Sequence, residues 1–309
     1  MTPNAIFGRS TNGGRPLFSI ITVLCLMIMY APVLYLLLAS LNPDEQLGLV
    51  APTRYSLTWY IALLDDHRLF MALEESAVVG LATAALATPV GLAAALAYRA
   101  MTRMRSIFLL VILSTMLVPG TIEGLGLSAV LKFVHLSPSW ITVTLGHLLW
   151  TLPFVTIVSL IGLLAVKPST LAAARDLGAG PIRAFVDVTL PLMRGSLVSS
   201  FVFAFLLSLN EYARAYYLVG RQNTLPLYMF GAMNSGGSPT IYAFSGAVLI
   251  ASFVAVGLTF FRAARRKSDP SGISLALPKR TEKQNHKGVD GPEARSSRQA
   301  EDWVATNWR

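Results

Sequence analysis

Six long apolar runs constrain this chain more than any other feature of its sequence. A bilayer core about 30 Å thick requires about 20 mostly apolar residues in each spanning helix. Only 13% of the 309 residues are charged, whereas an ordinary soluble domain has roughly 25%. We therefore predict an all-α, polytopic membrane protein with six transmembrane helices. Their predicted bounds are 17–41, 71–98, 107–131, 140–166, 196–219 and 241–264.

Basic residues are distributed unequally between the loops that this topology creates. The flanks on the N-terminal side hold thirteen: Arg9, Arg15, Arg99, Arg103, Arg105, Lys167, Arg175, Arg183, Arg194, Arg262, Arg265, Arg266 and Lys267. The opposite loops hold four: Arg54, Arg68, Lys132 and Arg221. Because an excess of Lys and Arg marks the cytoplasmic side, both termini are predicted to lie inside the cell. Topology thus explains the net charge of +9, and we expect no nucleic-acid partner.

The predicted topology divides the chain into four parts. Residues 1–16 form a cytoplasmic N-terminus, 17–41 the first transmembrane helix, 71–264 a five-helix transmembrane domain and 265–309 a cytoplasmic tail. The first run is too long and too uniformly apolar for a cleavable signal peptide. The tail is rich in charged residues, Ser, Gly and Pro, a composition that cannot bury enough apolar surface to fold. We predict that the tail is disordered.

One polar segment, residues 168–195, lies between the fourth and fifth runs on the predicted cytoplasmic side. Gly178 is expected to end a first short helix, and Pro181 is suited to the first turn of a second. Leu190-Pro191 is expected to end that second helix, because the residue before a proline disfavours helical geometry. The segment is therefore predicted to be a helix-turn-helix elbow. An amphipathic loop that lies on the lipid headgroups is the alternative.

The spacing in this segment resembles the cytoplasmic loop of permeases from bacterial ATP-binding-cassette importers of the type I fold. Their loop reads Glu-Ala-Ala, three residues, Gly, nine residues, an apolar residue, one residue and Leu-Pro. Here Ala172 stands in place of the leading acid, and Asp176 is the nearest acid available to substitute for it. The resemblance implies a coupling helix that seats in a groove of the ATPase subunit. The corresponding positions are Ala172, Ala173, Ala174, Asp176, Gly178, Val188, Leu190 and Pro191.

This resemblance implies a multi-subunit importer in the bacterial inner membrane. The chain would pair with a second homologous permease, two copies of an ATPase subunit and an extracytoplasmic solute-binding protein. The dipeptide Gly-Lys does not occur in the sequence, which excludes the phosphate-binding loop Gly-x-x-x-x-Gly-Lys-Ser/Thr. We therefore expect no enzyme activity and no cofactor, with ATP bound by the partner subunits. The four histidines show no metal-ligand spacing, so no metal site is expected.

Polar residues inside two of the apolar runs mark a candidate solute pathway. The fifth run contains Asn210, Glu211, Tyr212 and Arg214, and ionisable residues at membrane depth are costly. Glu211 and Arg214 are three residues apart, so they either pair on one helix face or leave Glu211 free to line a path. With aromatic neighbours, such a path suits an ammonium-bearing solute. Both interpretations remain open.

The third run contains a proline and several glycines that interrupt a helix. Pro119 precedes Gly120, and Glu123 lies one turn further on. Interrupted helices at membrane depth commonly line a cavity, although a simple packing kink is the alternative. We include Pro119 and Glu123 in the candidate solute pathway.

The nature of the solute is addressed by a second, local resemblance. Residues 208–212 and 224–245 are similar to the spermidine/putrescine branch of these permeases, so a polyamine is favoured. That branch usually has two acids where this chain has Asn210-Glu211, and Arg214 has no counterpart there. Arg214 would suit an anionic group. Opine-like compounds, phosphonates, thiamine and ferric iron therefore stay open as solutes, as does an ion-coupled secondary carrier.

Overall fold

The structure, a computed structural model, describes residues 14–44, 54–235 and 239–267. Within these ranges the chain is helical and contains no β-strand, so the predicted all-α class is confirmed. From residue 268 onward, the predicted tail lies outside the described residues. The helices are α1 (Gly14–Ser40), α2 (Thr58–Ala62), α3 (His67–Ala100), α4 (Arg105–Ser114), α5 (Gly120–Phe133), α6 (Trp140–Ala165), α7 (Pro168–Asp176), α8 (Pro181–Ala184), α9 (Leu190–Leu209), α10 (Ala215–Leu218), α11 (Leu225–Asn234) and α12 (Pro239–Lys267).

Six stretches of helix correspond to the six apolar runs. Five are long and apolar enough to cross a membrane singly: Phe18–Ser40, His67–Ala100, Trp140–Ala165, Pro181–Leu209 and Pro239–Thr259. The sixth is a bent pair, Arg105–Leu117 and Gly120–Phe133, whose axes meet at 102°. The predicted number of spans is reached when this pair is taken as one broken span.

The break in the third run lies at Val118 and Pro119. Both residues have extended backbone, with ψ of 127° and 133°. The Pro119 carbonyl accepts the N–H groups of Ile122 and Glu123 at 2.9 and 3.1 Å, and so starts α5. The predicted interruption at this proline is confirmed, and it is a sharp bend rather than a gentle kink.

The fifth run differs from its prediction at its outer end. We predicted one helix to residue 219, but α9 ends at Leu209. Asn210 terminates it, and its side-chain amide donates to the Leu206 carbonyl at 2.8 Å. The chain is not helical again until α10 starts at Ala215. Hydropathy alone missed this turn, because the residues that follow are stabilised by partners on other helices.

The second helix of the polar segment also differs from its prediction. Leu190-Pro191 does not end it, because residues Phe185–Thr189 form a π-helical turn that leads directly into α9. The Leu190 N–H donates to the Phe185 carbonyl, five residues back. A wider turn relieves the clash between a proline ring and the preceding turn. The helix therefore continues from the polar segment into the membrane.

The core is a bundle of α3, α6 and α9, which pack together along much of their length. Small residues let the backbones approach, as is usual for membrane helices. Ala84 and Ala87 of α3 are fully buried beside Val155 of α6 and Ala204 of α9. A Cβ added to Gly91 would lie 2.6 Å from a Val155 methyl group. Within the first unit, this bundle holds most of the close helix packing.

Two compact units divide the chain, Met1–Phe253 and Val254–Arg309. All packing reported below lies within the first unit. In the second, residues 254–267 are helical and complete α12. In the first, α1 leaves its apolar side chains exposed until its end, where the Ser40 and Tyr60 hydroxyls are hydrogen-bonded at 2.7 Å.

Candidate coupling loop and buried ion cluster

The first arm of the polar segment, α7, has a well-defined start and end. Pro168 occupies its first turn, where a missing N–H costs nothing. The Gly178 N–H donates to the Arg175 carbonyl at 2.8 Å, and the Ala179 N–H donates to the Ala174 carbonyl at 3.0 Å. Gly178 has φ of +85°, the left-handed conformation that this C-terminal cap requires. The predicted helix stop at Gly178 is confirmed.

The elbow presents small and apolar residues at the surface of the chain. Ala172, Ala173 and Asp176 are exposed, while Ala174, Val188 and Leu190 are half-buried and Pro191 is exposed. Leu177 and Ile182 are 90% and 79% exposed. Within the described residues no side chain covers these two large apolar groups. A surface of this kind is suited to contact with another protein.

Beyond the end of α9, Arg214 forms a buried ion cluster with two glutamates. Its Nε lies 2.6 Å from Glu123 Oε2, and its Nη1 lies 3.1 Å from Glu211 Oε2. The Arg214 backbone N–H also donates to Glu211 Oε1 at 3.1 Å. The three side chains are only 4%, 11% and 9% exposed, in the order Arg214, Glu123 and Glu211. Buried charges require pairing of this kind.

The walls of the ion cluster come from α5 and α6. The Arg214 guanidinium carbon lies 4.6 Å from the centre of the Trp150 ring, a cation–π arrangement. A Cβ on Gly120 would lie 2.7 Å from Arg214 Nη1, and a Cβ on Gly124 would lie 3.0 Å from the Arg214 Cα. Glycines at these positions therefore make the room that the arginine occupies.

A hydrogen-bonded chain in the helical core supports the turn that holds Glu211. His147 Nδ1 of α6 is hydrogen-bonded to the Ser208 hydroxyl at 2.7 Å. Ser208 in turn donates to the Thr83 hydroxyl of α3 at 3.5 Å. The Ser208 carbonyl accepts the Glu211 N–H at 3.2 Å. The core thus fixes the backbone from which the ion cluster is built.

The structure brings some of the residues predicted to line the solute pathway into contact and places the others elsewhere. The Glu211–Arg214 pair is confirmed, and Glu123 joins it from the broken third span. Tyr212 instead packs on Phe230 of α11, with ring centres 4.6 Å apart. Pro119 contributes the bend that brings Glu123 to the cluster. Sequence reasoning missed Trp150, since nothing in its local sequence indicates a cation partner.

Asn210 precedes Glu211 but is not a member of the ion cluster, and it lines a cavity of about 430 Å³. The cavity lies between the end of α9, α11 and the first half of α12. Its walls are mainly apolar, with polar groups from Asn210, Ser245 and Ser252. Apolar walls with a few polar groups are typical of small-molecule sites.

The fold is that of a polytopic membrane protein with an exposed elbow, residues 168–195, between its fourth and fifth spans. The chain belongs to the family described as binding-protein-dependent transport system inner membrane component, which matches residues 78–271. It is therefore a permease subunit of an ATP-binding-cassette importer, and it resides in the bacterial inner membrane.

Two similar proteins come from well-known bacteria. The chain is 31% identical to the putrescine transport system permease protein PotI of Escherichia coli (strain K12), over 76% of this chain and 88% of that protein. It is 28% identical to the spermidine/putrescine transport system permease protein PotC of Haemophilus influenzae, over 75% of this chain and 90% of that protein.

Solved structures of similar fold are more distant in sequence. A bacterial ABC transporter involved in the import of the acidic polysaccharide alginate has a TM-score of 0.57 and 17% identity, covering 82% of this chain and 98% of that one. The alginate transporter in complex with an alginate-bound periplasmic protein has a TM-score of 0.59 and 14% identity, covering 83% and 96%. These likenesses show the fold, and they say nothing about the solute.

Proposed function

We propose that this permease subunit translocates a polyamine, such as spermidine or putrescine, delivered by an extracytoplasmic binding protein. The observation that carries this proposal is the engagement of Arg214 by two glutamates. Two carboxylates and one guanidinium sum to a formal charge of −1. A buried site with this net charge favours a cation over an anion.

The same geometry answers the strongest sequence argument against a cationic solute. Arg214 suggested an anionic group, because a free guanidinium binds carboxylates and phosphates. In the structure its Nε and Nη1 atoms already contact Glu123 and Glu211, and its face lies on Trp150. An anionic solute would have to displace these partners and approach two carboxylates.

The two relatives named above support the same solute class. Their names state that they serve putrescine transport and spermidine/putrescine transport. The cavity beside Asn210 adds a surface suited to a polyamine, because its apolar walls match methylene groups and its hydroxyl and amide groups match ammonium groups. We propose that the solute passes this cavity and the adjoining aromatic residues Tyr212 and Phe230.

The partners follow from the importer class. We propose an assembly of this chain with a second homologous permease, two ATPase copies and the binding protein. The elbow of residues 168–195 would seat in the ATPase through Ala173, Asp176 and Gly178, while Leu190 and Pro191 connect it to α9. ATP would be bound and hydrolysed by the partner subunits, so this chain would be no enzyme and would need no cofactor of its own.

The test is uptake of labelled spermidine and putrescine in a polyamine-transport-deficient bacterial host that expresses all four components. We expect uptake by the unmodified system and a loss of at least about tenfold in E211Q and E123Q, since each change removes the negative charge of the cluster. E74Q is the matched control, because Glu74 is an exposed acid of α3 outside the cluster. It is expected to transport normally.

One result would overturn the solute assignment. An assembled complex that hydrolyses ATP in response to its binding protein, yet takes up neither polyamine, would show an importer for another solute. Unchanged uptake in both E211Q and E123Q would instead show that the ion cluster only holds the helices together.

A further inference from the structure

The two glutamates of the buried ion cluster are held in different ways. Glu211 uses both carboxylate oxygens, since Oε1 accepts the Arg214 backbone N–H and Oε2 contacts Arg214 Nη1, each at 3.1 Å. Glu123 uses one oxygen, because its Oε2 contacts Arg214 Nε at 2.6 Å. In the described part of the chain, no group donates a hydrogen bond to Glu123 Oε1. The unengaged carboxylate oxygen of the cluster therefore belongs to Glu123.

The two glutamates also differ in burial and in where they come from. Glu211 is buried, whereas Glu123 is partly exposed. The partner of Glu211 is only three residues away, so its bonds close the turn after α9 on itself. Glu123 comes from α5, and a single atom of Arg214 holds it across the fold. Of the two carboxylates, Glu123 is the one that another molecule can reach.

The charge of the ion cluster accommodates one further cation. Arg214 supplies a single positive charge against two carboxylates. Among the residues that the structure describes, no second cation forms an ion pair with either glutamate. A charge removed from water is costly unless it is paired. One ammonium group beside the unengaged oxygen would bring the formal charge of the cluster to zero.

We propose that Glu123 Oε1 accepts a hydrogen bond from one ammonium group of the solute, while Arg214 and Glu211 position this carboxylate. A carboxylate binds two cations at once when each oxygen takes one. Arg214 holds Oε2, and Glu211 neutralises Arg214, so the arginine does not repel the incoming ammonium group. Glu123 is then the residue that selects a cation over an anion, and Glu211 is a positioning residue.

The inference rests on the proposed function, because it takes the solute to be a polyamine. Two double variants with equal charge separate the roles of the glutamates. R214Q/E211Q leaves Glu123 as the remaining acid of the cluster, whereas R214Q/E123Q leaves Glu211. Both lack the guanidinium group and both keep a formal charge of −1. A site that depended on net charge alone would treat these two variants alike.

The first experiment measures putrescine uptake by the whole assembly in proteoliposomes. Loaded binding protein is supplied in excess, so that its own affinity for putrescine does not limit the rate. We expect R214Q/E211Q to take up putrescine at least about tenfold faster than R214Q/E123Q, since only the former keeps the proposed acceptor. Basal ATP hydrolysis reports whether each variant is assembled.

A second experiment uses the unmodified assembly and so does not depend on the folding of any variant. The apolar reagent dicyclohexylcarbodiimide modifies carboxyl groups at membrane depth, and peptide mass spectrometry locates the modified residues. During turnover with putrescine-loaded binding protein, we expect modification of Glu123 to fall at least about threefold relative to unloaded binding protein, because the ammonium group shields it. Modification of Glu211 should change less. Glu74, an exposed acid of α3, is the control and should be unaffected.

Each contrary result has a definite meaning. Equal uptake by the two double variants, or faster uptake by R214Q/E123Q, would overturn the role of Glu123 while leaving the proposed solute in place. Protection of Glu211 instead of Glu123, or protection of neither, would overturn the same role. An unmodified assembly that takes up neither putrescine nor spermidine would overturn the proposed solute and this inference together.

Discussion

Arg214 shows how much of this subunit depends on single side chains. Its partners come from the broken third span, from the turn after α9 and from α6. Removing one member of a buried ion pair leaves an uncompensated charge, which costs more than the pair contributes when intact. The arginine therefore stabilises the structure even if the cluster also attracts the solute.

The first prediction concerns this arginine. R214Q leaves Glu123 and Glu211 buried without their cation, so we expect a loss of stability of about 3–5 kcal/mol. Thermal unfolding of the purified complex in detergent measures it. R221Q removes an exposed arginine and is expected to unfold like the unmodified protein. Equal unfolding temperatures for R214Q and R221Q would contradict the buried ion cluster.

The second prediction uses two glycines of α5. A side chain at Gly124 would meet the Arg214 backbone at 3.0 and 3.1 Å, while a Cβ at Gly126 has nothing within 4 Å. We expect G124V to lower solute uptake at least about tenfold, because the added side chain pushes α5 away from the Arg214 backbone and disturbs the Glu123–Arg214 pair. G126V places the same residue on the same helix and should transport normally. Similar uptake in both variants would argue against close packing of α5 on this segment.

At the scale of helices, the start of α5 and the end of α9 determine where the ionisable residues lie. α5 begins at the bend after Pro119, and α9 ends where Asn210 caps it. Both interruptions bring ionisable residues into one cluster. At its other end, α9 continues without a break into the cytoplasmic elbow through a π-helical turn. One helical path therefore joins the elbow to the ion cluster, which would let a movement of the elbow reach the membrane interior.

The third prediction tests the elbow. Gly178 has φ of +85°, whereas Gly180 has φ of −65°, and a Cβ on either would meet nothing within 4 Å. A left-handed backbone costs a non-glycine residue about 1–2 kcal/mol, and more for a β-branched one. We expect G178V to abolish stimulation of ATP hydrolysis by the loaded binding protein, at a normal membrane level. G180V should remain stimulated. Full stimulation of G178V would contradict a coupling role for the cap of α7.

On the scale of the whole molecule, the first compact unit is built on a three-helix bundle. α3, α6 and α9 bury small and hydroxyl-bearing residues against one another. By contrast, α1 is exposed along most of its length. In a membrane, exposed apolar helices such as α1 contact lipid or another subunit.

The fourth prediction separates the importer from an ion-coupled carrier. In proteoliposomes that contain the whole assembly, we expect solute uptake to require ATP on the side of the elbow. It should persist when a protonophore removes the pH gradient, since ATP hydrolysis by the partner subunits, and not an ion gradient, is proposed to drive transport. Uptake driven by an ion gradient without ATP would place the chain among secondary carriers.

Much of this architecture was predictable from local sequence. Gly178 ends its helix as predicted, because only glycine adopts a positive φ at little cost. Pro119 breaks the third span for a similarly local reason. Two predictions from local sequence rules were wrong, because the backbone or the rest of the fold adjusted in ways that those rules do not include. A π-helical turn accommodated Pro191, and α9 ended at Leu209 with Asn210 as its cap, ahead of an arginine whose partners lie on other helices.

Sequence by itself determined the class of this protein, because the length of each apolar run and the placement of basic residues are dictated by the bilayer. Tertiary structure decided what the ionisable residues do. Glu123 and Arg214 are 91 positions apart, and no local pattern reveals that they meet. A buried charge is costly unless it is paired, so each of these residues requires a partner. Which partner it finds depends on how the broken spans pack.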